Sequence, residues 1–291
     1  MWLRWPSPLR RPPWQRERLR ITTCAGLGDE LMATAVLRAM KRHNPHIHLT
    51  YLTRRPELFA DLPYIDVVER FTHDGARGAV YLAYSTQDDV PPPRRPLTSL
   101  MAERVGLRMR TTQLDRPRVQ AHPEVRARVA AIGGPRVVVQ PRASDWTPNK
   151  NWPLRRWLEL VERLTERFSV IEVGTSACLP AADLGPRFHS LAGLTDVSDF
   201  AWVVSQAAVF VGPVSGGMHV ANAFEIPSVI IFGGYEHPDG YGYARTEALY
   251  SPVACAPCWL RKPCPYGLEC LERIQVADVF AAVVRAARSA P

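Results

Sequence analysis

Four stretches of the chain carry residues that could move a proton, bind an anion or hold a metal. The first is Gly26-Leu27-Gly28-Asp29, a turn that runs into a helical pattern. A carboxylate there either caps the helix start, as Asp does well, or acts as a general base on a bound hydroxyl. It is no dinucleotide fingerprint, because Leu31 stands where the third glycine would fall. The second stretch, QPRASDWTPNKNWP from Gln140 to Pro153, places Lys150 between Trp146 and Trp152. Lys41, Lys150 and Lys262 are the only lysines in a chain otherwise supplied with Arg, and a compact point charge at 150 suits a phosphate. The third, VGPVSGGMHVANAF from Val211 to Phe224, follows an apolar β-branched run with Ser215, Gly216 and Gly217 and then a helical pattern containing His219. Strand, tight turn and helix in that order leave backbone N–H groups at the positive end of a helix, a seat for phosphate; the same small residues also serve close strand–helix packing. The fourth is Cys255, Cys258, Cys264 and Cys270, spaced C-x2-C-x5-C-x5-C. Four thiols on one irregular segment suit a tetrahedral zinc or iron site better than disulfides, and four thiolates would leave no open position, so such a metal would be structural. Reduced, unligated cysteines are the alternative.

These stretches must be positioned by an alternation of strands and helices. LRITTCA reads as a strand and LMATAVLRAMKRHN as a helix with apolar residues at helical spacing, ended by Asn44-Pro45. HIHLTYLT, IDVVERF and AVYLAYS read as further strands, PELFADL and LTSLMAERVGL as helices. After a polar connector with a helical piece at 124–132, a second series begins. RVVVQP, SVIEVG, VFVG and SVIIFG are its strands; LRRWLELVERLTERF, VSDFAWVVSQA, MHVANAFE and the terminal VADVFAAVVRAARSA are its helices. Two such series imply an α/β protein of two Rossmann-like domains facing across a cleft. Each candidate stretch except the cysteine segment then lies just after a strand, at the sheet edge where ligands bind.

Composition narrows the class. Hydrophobic residues make up 46% and charged residues 22%, as in a globular protein, and no apolar run approaches the roughly 18 residues a membrane span needs. The first twenty residues lack the apolar core of a secretory signal, so the expected location is the cytoplasm, with attachment to the inner membrane surface left open. Net charge is +8, from 36 Lys+Arg against 28 Asp+Glu. An Arg-rich surface suits phosphates, nucleic acid or an anionic membrane, and equally reflects an Arg-favouring genome. The arm 1–19, with Trp2, Trp5 and Trp14 among Arg and Pro, shows no period; it either packs on the body or meets an anionic membrane surface or DNA.

The segments GLGDELMATAVLRAMKRHNPHIHLTYLT, QPRASDWTPNKNWPLRRW, LAGLTDVSDFAWVVSQAAVFVGPVSGGMHVANAFEIPSVIIFG and CAPCWLRKPCPYGLECLERI occur in the order found in heptosyltransferase-like glycosyltransferases of family 9, with the GT-B fold. The resemblance covers roughly residues 20–285. It implies an inverting, metal-independent transfer of a sugar from a nucleotide diphosphate sugar to a hydroxyl acceptor. It implies an acceptor-side domain at 20–123 and a donor-binding domain at 124–291 that includes the cysteine segment 255–270. By this likeness Asp29 is the base, Lys150 and the Ser215, Gly216, Gly217 loop hold the diphosphate, and His219 supports them. Cys255, Cys258, Cys264 and Cys270 match a cysteine-rich segment that binds iron in some relatives. Two positions depart from the pattern: Val214 stands where an acidic residue meets the donor sugar, and the acid expected after VIEVG to hold a ribose has no counterpart before Asp183. Lipopolysaccharide or another glycan, a protein, a natural product and a modified DNA base remain as acceptors, with oligomerisation open. A catalytically inactive binding or assembly protein of the same fold is the alternative.

Overall fold

The computed structural model describes residues 12–23, 26–84, 90–143 and 146–288. The described chain divides into two compact units. One spans the residues through Tyr84, then 92–118 and 239–242; the other holds 90–91, 119–238 and 243–288.

The first unit is built on β1 (Arg18–Thr22), α1 (Leu27–His43), β2 (His48–Thr53), α2 (Pro56–Phe59), β3 (Val67–Arg70), β4 (Val80–Tyr81) and α3 (Leu97–Glu103). Its strands are parallel, in the order β3-β2-β1-β4. Helix α1 starts four residues before the pattern of large apolar side chains does. Its buried stripe, Leu31, Ala35 and Val36, then Met40, repeats at helical spacing against the sheet. The strand expected over AVYLAYS is only the two residues of β4. Of the basic arm, residues 1–11 lie outside the described chain. Pro13–Gln15 forms one 3-10 turn, Trp14 meets the His43 ring edge-on at 6.1 Å, and Arg18 already belongs to β1.

The second unit comprises α4 (Pro123–Ala130), β5 (Arg136–Val139), α5 (Leu154–Thr165), β6 (Ser169–Glu172), β7 (Phe188–Ser190), α6 (Val197–Ser205), β8 (Val209–Pro213), α7 (Gly216–Ala223), β9 (Ser228–Gly233), β10 (Thr246–Tyr250), α8 (Glu269–Glu272) and α9 (Val276–Arg288). All six strands are parallel, in the order β10-β9-β8-β5-β6-β7. Read from β7, this is the doubly wound Rossmann order, with its switch point between β5 and β8. The central strands are closed on both faces: Val137, Val138, Val139, Val209, Phe210 and Val211 are all fully buried. That burial explains why they read as unbroken apolar runs rather than alternations. Strand β7 is short and β10 half-buried, and neither carries the apolar run that marks its neighbours. Helix α5 covers the sheet with Trp157, Leu160, Val161 and Leu164, one face of a helix, and packs on α9 through Val279 and Val283. No helix among the described residues is long and apolar enough to cross a membrane.

Candidate functional site

In the first unit, Asp29 is the third residue of α1 rather than its cap, which is Gly26. Its Oδ2 accepts the Gly26 N–H at 3.2 Å, so the carboxylate closes the first turn from inside the helix and sits at the positive end of the dipole. The neighbouring Glu30 turns inward, 2% exposed, and is fully engaged. Its Oε1 accepts from the Thr53 hydroxyl (2.7 Å) and the Arg54 N–H (2.8 Å), and its Oε2 from Arg55 (2.7 Å). Glu30 therefore fixes α1 to the end of β2, and Asp29, half-buried one residue earlier, is left on the edge that follows β1. Cys24, in the same loop, lies outside the described residues.

In the second unit the switch point gathers the other candidates. The Gln140 N–H continues the ladder to Val211 O (2.9 Å), and the Gln140 side chain spans the gap between the loops that leave β5 and β8. Its Oε1 accepts from the Ser215 hydroxyl at 2.9 Å, and its Nε2 donates to Arg142 O at 2.9 Å. Ser215 is the N-cap of α7 but makes no side-chain cap bond, its hydroxyl being spent on Gln140. The N-terminal N–H groups of α7 thus have no side-chain cap. Gly217 answers to packing: a Cβ there would lie 2.4 Å from Gln140 Oε1 and 2.5 Å from the Phe210 ring. The two readings of this turn coexist, with Gly217 needed for close approach and the helix start left for an anion. Val214 is buried at 4% exposure and offers the loop no polar group.

His219 is 5% exposed, and its Nδ1 is 2.7 Å from the Tyr243 hydroxyl, the two rings meeting edge-on. Burial first, and the charge of Lys150 second, push its pKa down to about 3, so it is a neutral imidazole at ordinary pH. Lys150 ends a 3-10 turn, Pro148–Lys150, and is itself only 14% exposed along its side chain. Its Nζ donates to Glu236 Oε1 at 2.9 Å and stands 4.9 Å from the centre of the Tyr235 ring. Glu236 and Tyr235 follow β9 through the turn Gly233-Gly234. Neither was marked by the sequence reading, since a single Glu in a loop after a strand carries no pattern.

The cysteine segment braces both of these loops. Cys258 N–H donates to Gly234 O (3.0 Å) and Trp259 N–H to Tyr235 O (3.2 Å), while Trp259 stacks on Tyr235 at 5.3 Å. On the other side, the Thr147 hydroxyl donates to Leu260 O (3.0 Å), and Asn149 Nδ2 donates to Leu260 O (2.8 Å) and Lys262 O (2.7 Å). Asn149 Oδ1 accepts from the Cys264 N–H (3.0 Å). Gly233, at φ +59°, leaves room for Leu271, whose side chain a Cβ would strike at 2.6 Å. Cys255, Cys258, Cys264 and Cys270 are unpaired by disulfides. Burial pushes the Cys258 and Cys270 thiols up. The Tyr266 N–H donates to Cys264 Sγ at 3.4 Å. As a donor set the four thiols fit zinc or iron, but no three of their sulfurs lie within 4.8 Å of one another. A tetrahedral site needs them at about 3.8 Å, from Zn–S bonds near 2.3 Å, so a metal would have to draw the segment inward.

Two clusters of the second unit escaped the sequence reading and are structural. Glu172, fully buried, accepts from the N–H groups of Cys178 (2.8 Å) and Leu179 (3.2 Å) and from the Ser190 hydroxyl (2.6 Å). It pins the loop after β6, where Cys178 is half-buried. His122, Asp196 and Asp199 converge where α4 and α6 begin. Asp199 accepts from the His122 N–H (2.8 Å), its ring (3.0 Å) and the Asp196 N–H (3.3 Å), so its oxygens are occupied by helix-capping bonds.

Several known proteins are similar. Lipopolysaccharide heptosyltransferase 1 of Pseudomonas aeruginosa is 32% identical over 129 residues, which span 40% of this chain and 34% of that protein. The matched stretch is thus about a third of the relative's length. Among solved structures, ADP-heptose lipopolysaccharide heptosyltransferase II of E. coli superposes with a TM-score of 0.67 at 15% identity, over 93% of this chain and 98% of that one. The iron-containing dodecameric glycosyltransferase TibC of enterotoxigenic E. coli gives 0.72 at 18% identity, over 94% and 79%. TibC has also been solved in complex with ADP-D-β-D-heptose, and that structure gives 0.71 at 18%, over 95% and 77%. These likenesses fix the fold as GT-B, with two Rossmann-like units. The glycosyltransferase family 9 (heptosyltransferase) model matches residues 71–266, well over half of the sequence, and the chain belongs to that family.

Proposed function

We propose that the protein is an inverting glycosyltransferase that moves a sugar from a nucleotide diphosphate sugar to a hydroxyl acceptor. The observation that carries this reading is the switch point of the second sheet. A helix start without a side-chain cap, a largely buried cation and a neutral buried histidine lie on the segments that leave neighbouring strands. That arrangement suits a departing diphosphate. Lys150 and the N–H groups at Ser215, Gly216 and Gly217 meet its charge, and His219, held neutral, can share a hydrogen bond without adding charge. Family membership and the ADP-heptose carried by TibC support a nucleotide sugar as the donor. Asp29, in the first unit, is the base. It takes the proton of the acceptor hydroxyl as that oxygen bonds to the anomeric carbon and the carbon–oxygen bond to the diphosphate breaks. The cation role falls to Lys150 and the helix, so the reading invokes no catalytic metal. The first unit is the acceptor side and the second the donor side.

The test is a panel of nucleotide sugars scored by thermal shift and by turnover. A true donor at 100 times its dissociation constant adds about 2.7 kcal/mol of stability. A panel of ADP-, UDP- and GDP-sugars without any shift would overturn the reading. We propose further that Cys255, Cys258, Cys264 and Cys270 hold a structural zinc or iron. Elemental analysis of freshly purified protein should then find close to one equivalent, and less than about 0.1 equivalent would remove the site, because four-thiolate sites bind tightly.

A further inference from the structure

Four carboxylates of the described chain are buried: Glu30, Glu172, Asp199 and Glu236. The oxygens of the first three are engaged by the hydrogen bonds set out above. Glu236 differs. It is 5% exposed, its Oε1 holds Lys150, and its Oε2 has no hydrogen-bond partner. An unsatisfied buried carboxylate oxygen is costly, and Glu236 carries it on the loop after β9, beside the lysine assigned to the diphosphate.

Resting on the donor-site reading above, we propose that Glu236 is the residue that reads the donor's sugar, its carboxylate accepting a hydroxyl of the transferred sugar once Lys150 turns to the diphosphate. The chemistry selects this ligand. A carboxylate oxygen accepts only from a donor, so the anionic phosphates cannot satisfy it, whereas a sugar hydroxyl can. The placement agrees. Glu236 Oε1 stands 2.9 Å from the Nζ proposed to meet the phosphate, so the carboxylate lies beside the group joined to that phosphate. Oε2 is buried without a partner while Lys150 holds Oε1, so the move of Lys150 to phosphate would free the second oxygen of the carboxylate as the sugar arrives. The loop before α7 supplies no competing carboxylate, because Val214 is apolar and buried.

The experiment compares ADP and UDP with ADP-heptose, ADP-glucose, UDP-glucose and UDP-N-acetylglucosamine, titrated into the wild type, Glu236→Gln and Glu236→Asp by calorimetry. Thermal melts confirm that each variant is folded. In the wild type the preferred nucleotide sugar should bind more tightly than its parent nucleotide. In Glu236→Gln that advantage should fall about ten-fold or more, while the parent nucleotide binds as well or better because a negative charge has left its neighbourhood. Glu236→Asp should recover part of the advantage. Equal weakening of nucleotide and nucleotide sugar would overturn the proposal and leave Glu236 as a residue that merely positions Lys150; an unchanged sugar advantage would overturn it too. A wild type that binds the nucleotides but gains nothing from any sugar also overturns it, while leaving the diphosphate site intact. A wild type that binds none of the six overturns the donor-site reading and this assignment together.

Discussion

The two sheet edges hold their candidate groups in different ways. In the first unit the candidate base, Asp29, is half-buried and tied by its own helix turn, and the heavier anchoring is done next door by Glu30. In the second unit the candidates are themselves the anchors: Ser215 is bonded to Gln140, Lys150 to Glu236 and His219 to Tyr243. A proton acceptor has to meet a mobile hydroxyl and needs only local orientation. Groups that receive a charged leaving group gain from being held in a dry setting beforehand, which leaves the move of Lys150 from Glu236 to phosphate as the rearrangement that binding brings.

The largest expected effect separates the edges by function. Asp29→Ala should reduce kcat by about 10²–10⁴-fold, the range of general base catalysis, while binding of the nucleotide sugar stays within about two-fold. Full turnover in the variant would remove Asp29 from the mechanism. Next comes the packing of the second edge. Gly217→Ala forces a methyl group against Gln140 and Phe210 and should lower stability by about 1–3 kcal/mol in urea unfolding. An unchanged midpoint would show that the turn has slack. The smallest effects come from two histidines of opposite sign. His219 has a lowered pKa in the folded chain, so between about 3 and the ordinary histidine value the unfolded chain holds a proton that the folded one refuses. Stability therefore falls as pH drops through that window, and His219→Gln should flatten this slope. His122 is raised, first by its hydrogen bond to Asp199 and then by that carboxylate's charge. Its contribution is present below the ordinary histidine value and is lost as pH rises through the raised one. His122→Gln should lower stability on the acidic side of the profile only and leave the alkaline side unchanged, by a small amount because the ring is exposed. Unfolding midpoints at half-unit pH steps measure both.

The sequence shows the second sheet well because β5, β8 and β9 are buried on both faces and can only be apolar runs. Asp29, Lys150, Ser215 and His219 are visible because each is a distinctive residue type in the stretch that follows a strand-like run. Strand β7 and β10 lack that signal, being short or half-exposed, and go unnoticed. Gln140, Glu236 and Tyr243 are likewise invisible beforehand. Each acts through a partner remote in sequence, 75 residues away for Gln140 and Ser215 and 86 for Glu236 and Lys150, and a single sequence encodes no such pairing. The cysteine spacing announces a cluster but not the brace it forms, because that brace is made of backbone carbonyls, which any residue supplies.

The reach of Asn149 to Leu260 and Lys262 has a consequence for how the protein is made. These bonds join positions 111 and 113 residues apart, and contacts of such span form late because the intervening chain must first be closed into a loop. On the ribosome the β5 strand and the turn that carries Lys150 emerge long before residues 260–262 do. Lys150, the cation proposed for the diphosphate, therefore waits without this brace until residues 260–262 have been made, so that the turn proposed to meet a phosphate becomes rigid late.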